Sequence, residues 1–140
     1  MSRSGYSEDI DNWDLIRFRG QVASAFRGRR GQDFLREMLA ALDALPDKRL
    51  IAEELIDDTG AVCAIGSVGK ARGIDMTNLD PYKYEQLAAT FGIARQMVQE
   101  IEYENDDYSR ETPEQRFYRI RAWVVSQICV RPEELIEAKP

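Results

Sequence analysis

Histidine is absent from this 140-residue chain. With it go the commonest general base and the commonest metal ligand, which excludes Ser-His, Cys-His, zinc-finger and facial-triad arrangements. What remains for chemistry is Cys63, Ser67 and Lys70, around the segment Gly66-Ser67-Val68-Gly69-Lys70. A thiolate at Cys63 would need a cation such as Lys70, or a helix N-terminus, to lower its pKa. Its apolar flanks, Ala-Val-Cys-Ala-Ile, read instead as a packed core thiol. The glycine-lysine run follows a candidate strand and precedes a candidate helix, the setting of a phosphate-binding loop. It departs from that motif twice: Ala64 stands where a glycine would let backbone wrap the phosphates, and Ala71 where a hydroxyl would hold magnesium. Close backbone packing accounts for the glycines. No catalytic residue, metal site or cofactor is expected.

Three segments point to binding. Leu87-Ala88, Gly92-Ile93, Val98 and Ile101 carry the spacing of a DNA-binding helix-turn-helix, with a small residue, a turn glycine four later and apolar residues locking the second helix. That second helix would offer Arg95 near phosphate and Gln96 and Gln99 at base edges, but it runs on into Glu100, Glu102 and Glu104. Those carboxylates repel a DNA backbone, so the same spacing reads first as a packed helical hairpin. Arg17, Arg19, Arg27, Arg29 and Arg30 form a concentrated basic region loosened by Gly28 and Gly31. It would dock phosphate or an acidic protein surface, or serve as a solvated helix end whose cations offset the helix dipole. Its counterpart is an acidic segment containing Glu100, Glu102, Glu104, Asp106, Asp107, Glu111 and Glu114. This would mimic nucleic-acid phosphates, hold a weak cation or form a solvated loop, and it lacks the turn glycine of a calcium loop.

The elements that must position these residues follow from composition and periodicity. At 44% hydrophobic residues the chain is long enough for one core and too short for two, so 1–140 is read as a single domain. The net charge of −6 argues against coating nucleic acid or anionic membrane. Residues 1–50 hold nine of the 19 basic residues and eight of the 25 acidic ones, so the acidity belongs to the second part of the chain. Neither a signal-peptide run nor a membrane span is visible, and the expected location is the cytoplasm. Cys63 and Cys129, both in apolar sequence, read as reduced core thiols.

The expected fold is mainly α (α+β), with five to six helices and a short β-hairpin. Asp11 or Asn12 caps a first helix that turns Trp13, Ile16, Val22, Ala25 and Phe26 inward and ends near Gly28. Gln32 to Leu45 repeats Phe34, Leu35, Met38, Leu39, Leu42 and Leu45 at helical spacing, closed by Pro46. Leu50 to Ile56 and Ala61 to Ile65, joined by Asp57-Asp58-Thr59-Gly60, read as the hairpin, although Glu53-Glu54 would equally suit a helix. Gly66 to Arg72 is a short helix ending at Gly73, and Asn78-Leu79-Asp80-Pro81 starts another. Tyr82 to Phe91 and Ile93 to Tyr103 form a helical hairpin about Gly92, followed by a polar loop from Glu104 to Glu111. Thr112 then caps a last helix carrying Phe117, Ile120, Trp123, Val124 and Ile128, which Arg131-Pro132 breaks.

Several stretches resemble a family of small uncharacterised phage and prophage proteins. They are Ser4-Gly5-Tyr6-Ser7-Glu8-Asp9, Asp11-Asn12-Trp13, the run from Arg27 to Gln32, that from Phe34 to Asp43, and Cys63-Ala64-Ile65-Gly66. Gly69 to Met76, Glu104-Asn105-Asp106 and Thr112 to Arg116 extend the resemblance over most of the chain. The cysteine-to-glycine segment followed later by Asn-Asp is also similar to a broader bacterial family of unknown function. Neither resemblance implies a reaction. The first implies a mobile-element origin, and hence a non-enzymatic accessory protein that binds a host or phage protein, with action against host defence among its roles. The alternative is a helix-turn-helix-like DNA-binding regulator, and a third reading is a small-ligand site at Cys63, Ser67 and Lys70.

Overall fold

The computed structural model describes residues 12–108 and 110–129. Asp11 and the Arg131-Pro132 break lie outside them. The fold is mainly helical. Among the described residues there are six helices: α1 (Asn12–Arg27), α2 (Arg29–Ala44), α3 (Ala64–Arg72), α4 (Tyr84–Phe91), α5 (Arg95–Asp106) and α6 (Pro113–Gln127). Helix α5 is the hub, packed against α1, α3, α4 and α6, while α2 packs against α1, α3 and α6. Their inward residues form one cluster that includes Leu35, Met38 and Leu42 of α2, Ile65 and Val68 of α3, Met97 and Ile101 of α5, and Phe117 and Ile120 of α6. None of these helices is long and apolar enough to cross a membrane.

Local chemistry sets the helix ends. On α2, Phe34, Leu35, Met38 and Leu42 are all buried, as their spacing requires. Thr112 and Gln115 form a capping box, each side chain accepting the other's backbone N–H, with Pro113 in the first turn of α6. Helix α3 is capped by the Cys63 sulfur, which accepts from the Gly66 N–H at 3.3 Å. Gly73 and Gly92 end α3 and α4 in the left-handed conformation, at φ 74° in both cases.

The β-hairpin does not form. The two runs meet through scattered bonds, Ile51 N–H to the Val62 carbonyl at 2.9 Å and Cys63 N–H to the Leu55 carbonyl at 3.2 Å. Only Ile56 and Val62 make an antiparallel bridge. Glu53, at φ 69°, turns the first run out of the extended conformation. The second run is cut short because Ala64 and Ile65 are already the first turn of α3. The turn between them is real: the Asp57 carboxylate accepts from the Thr59 N–H, the Thr59 hydroxyl and the Ala61 N–H.

Four smaller departures from the expected elements accompany it. Trp13 and Ile16 point outward, 74% and 62% exposed, because α1 turns Phe18, Val22, Ala25 and Phe26 to the core. Asn78–Pro81 form turns, in which the Asp80 carboxylate accepts the Tyr82 N–H, and α4 begins only at Tyr84. Glu104 to Asp106 are the last turn of α5 and not a loop. Cys129 is exposed, while Cys63 is buried; both are free thiols.

Candidate functional site

The phosphate-loop segment lies inside a helix. Gly66, Ser67 and Gly69 are buried on α3, where Gly66 presses on the Leu55 carbonyl and Gly69 on the Met76 sulfur, so they pack backbone closely and cradle nothing. The Ser67 hydroxyl donates to the Ala64 carbonyl at 2.6 Å. Cys63 is fully buried, its sulfur 3.7 Å from Glu102 Oε1. Burial first, and the Glu102 carboxyl second, push the Cys63 thiol well above its ordinary range, the opposite of what a nucleophile needs. Lys70 is exposed and reaches the Gly60 carbonyl at 3.5 Å. Cys63, Ser67 and Lys70 therefore share no accessible site.

Beneath the start of α3 lies a polar network that sequence reading missed. Asn105, fully buried, accepts from the Ala64 N–H at 3.0 Å and donates to the Ile51 carbonyl at 2.9 Å and to Asp106 Oδ1 at 2.8 Å. Asp106 also accepts from the Glu53 N–H and the Tyr82 hydroxyl. Burial, then the neighbouring Asp106 charge, raises the Tyr82 phenol above its ordinary value. Arg116, 5% exposed, donates to the carbonyls of Asn105, Leu50 and Tyr108. The signal for this network was present: Val98, Ile101, Glu102 and Asn105 fall at i, i+3, i+4 and i+7, so the inward stripe of α5 continues onto polar residues.

Glu102 is the unusual member. It is 2% exposed and its Oε2 has no hydrogen-bond partner among the described residues. Burial above all, then the Asp106 charge, pushes its carboxyl well above the ordinary carboxylate range. The folded state thus keeps this proton to higher pH than the unfolded chain does. The stabilisation from that carboxyl is full below the unfolded pKa and is lost as pH rises through the folded one. Glu102→Gln, which cannot ionise, is expected to flatten the decline of stability from mildly acidic to alkaline pH. Urea unfolding across that range checks this, and parallel profiles for the two proteins would refute it.

The acidic segment is not an open contact surface. Glu100 and Glu102 are buried, and Glu104, Asp106 and Asp107 are half-buried. Glu100 pairs with Arg19 of the basic set at 3.1 Å, and Glu104 with Arg119 at 3.5 Å. Because α5 is central, its carboxylates are met by arginines of α1 and α6. The same placement removes the DNA-reading geometry: Gln99 is buried, Gln96 is half-buried against Gln21 at 3.3 Å, and only Arg95 is exposed. Helix α5 packs against four others, and of the three residues expected to read DNA two are turned toward them. The Leu87–Ile101 spacing encodes the packed α4–α5 hairpin.

The remaining arginines are different. Arg17, Arg27, Arg29 and Arg30 are all exposed. Trp13, Ile16, Arg17, Gly20, Ser24 and Arg27 fall at helical spacing along one outward stripe of α1, every one of them exposed. Arg27 sits in the last turn of α1, where it offsets the helix dipole. Arg29 and Arg30 do not: they occupy the first turn of α2, which carries no acidic residue and no side-chain cap. There the dipole has their own sign, so an external anion would relieve both.

Among the described residues no three Cys, Asp or Glu side chains converge in a way that would hold a metal. The chain matches no family model, no curated protein and no solved structure.

Proposed function

We propose that this is a non-enzymatic accessory protein that binds an acidic surface of another protein through the outward stripe of α1 and the start of α2. The observation that supports this most is the placement of Trp13 and Ile16, 74% and 62% exposed, in line with Arg17 and Arg27 and next to Arg29 and Arg30. A large exposed indole is costly to leave in water and is the commonest kind of interface anchor. The arginines at its flank would select carboxylates opposite them and speed encounter. From residue 13 to 27 the stripe runs roughly 20 Å, enough to lie along one helix or one edge of a partner. The sequence resemblance to phage and prophage proteins favours a host or phage protein as the partner, a component of host defence included.

The test begins with capture from nuclease-treated host extract and continues with the purified partner. Trp13→Ala is expected to weaken its binding about 30-fold, the effect of losing about 2 kcal/mol at an interface anchor. Arg27→Glu with Arg29→Glu is expected to slow association by about tenfold and to reduce its salt sensitivity. Binding untouched by both changes would overturn the reading, as would retention of duplex DNA or anionic vesicles in place of any protein.

A further inference from the structure

The exit of α2 and the turn at 57–60 line an open cavity of about 190 Å³. Its walls include Leu45, Asp47, Arg49, Thr59, Val62 and Lys70. We propose that this cavity binds inorganic hydrogen phosphate between the Arg49 guanidinium and the Lys70 ammonium. Leu45 and Val62, 8% and 1% exposed, supply an apolar floor on which a charge interaction is less screened than at open surface.

Both cations have donors to spare. Arg49 side-chain nitrogens donate no hydrogen bond among the described residues, and Lys70 makes only the long 3.5 Å contact to the Gly60 carbonyl. Two cations on the walls of one cavity suit the spread oxygens of a phosphate, the guanidinium by a bidentate pair of bonds and the ammonium as a point charge. The neighbouring Asp57 carboxylate is already committed to the Thr59 and Ala61 donors. It is held below its ordinary pKa chiefly by the Thr59 hydroxyl, with Arg49 adding to the effect from the side.

Asp47, the one carboxylate on the walls, sharpens the choice of anion. Hydrogen phosphate carries an O–H that a carboxylate accepts, whereas sulfate has none and is repelled. The cavity is smaller than the roughly 300–1,000 Å³ of sites for drug-sized ligands, which suits an inorganic anion. Lys70, the lysine of the failed phosphate loop, thus acts from the far end of α3 and not from its N-terminus. The site lies apart from the α1 stripe and stands or falls independently of it.

The experiment is a titration of the full chain with inorganic phosphate, followed by backbone amide shifts at constant ionic strength, with sulfate and phenyl phosphate, whose dianion carries no O–H, as the controls. Saturable shifts confined to 45–49, 59–62 and 70 are expected, weaker with either control. Arg49→Gln and Lys70→Gln, both at exposed positions and so compatible with folding, are each expected to weaken binding about tenfold or more. Phosphate shifts that fail to saturate at tens of millimolar, an equal response to either control, or unchanged affinity in the double variant would overturn the proposal.

Discussion

Replacing Arg116 with leucine lowers the stability of the fold by about 3 kcal/mol, seen as an earlier urea midpoint with an unchanged slope. Arg116 holds three segments together: its Nε donates to Asn105 at the end of α5 at 2.9 Å, and Nη1 to Leu50 in the connection after α2 at 3.1 Å. A third bond runs to Tyr108 at 3.4 Å. Its carboxylate neighbour, Glu111, lies 3.5 Å away but keeps a bidentate partner in Arg119 at 2.6 and 2.9 Å. The loss is therefore not a stranded charge but carbonyl acceptors left without donors, at about 1–3 kcal/mol each before relaxation. Arg121→Leu makes the control. Its pair with Asp43 is shorter at 2.6 Å, yet the two side chains are 40% and 48% exposed, so its loss costs under about 1 kcal/mol. Equal effects from the two substitutions would mean that burial is not what gives Arg116 its weight.

Gly66→Ala is expected to cost about 3 kcal/mol, an effect out of proportion to one methyl group. A Cβ at this position runs into the Leu55 carbonyl and sits 3.1 Å from the Val62 Cβ. The obstruction is backbone, and that carbonyl already accepts from the N–H of Cys63, the cap residue of α3, at 3.2 Å, so it cannot turn aside without losing that bond. Gly20→Ala gives the opposite sign. Nothing lies within 4 Å of a Cβ there, the residue is exposed in the middle of α1, and removing a helical glycine stabilises by about 0.5–1 kcal/mol. Thermal melts of the two variants should shift in opposite directions. A Gly66→Ala protein as stable as the parent would show that Leu55 and α3 are not packed as described.

Both sites show where the chain declares its structure and where it does not. Helices α2 and α6 are legible because their signals are local, an i, i+3, i+4 apolar stripe from Phe34 to Leu42 and the Thr112-Pro113 start with its capping box. The close packing of Gly66 was legible for the same reason, small residues being placed where backbones meet. The hairpin was misread because its turn residues are true turn residues, while Glu53 and the early start of α3 at Ala64 deny the flanking runs a ladder. The acidic segment was misread for a tertiary reason. Glu100 and Glu102 look solvated in sequence, but α5 is enclosed by four helices, one of which brings Arg19 to Glu100. Trp13 and Ile16 reverse the error: apolar residues assigned inward by type are turned outward by the phase that Phe18, Val22 and Phe26 set. That last discrepancy is what makes α1 a candidate interface.

The central claim, that α1 and the start of α2 are the binding face, is tested most directly by hydrogen exchange on the free protein and on its complex with the captured partner. Slowed exchange concentrated in 13–30, with α3, α4 and α6 unchanged, is the predicted result. Protection elsewhere on the molecule, with 13–30 exchanging as in the free protein, would contradict it.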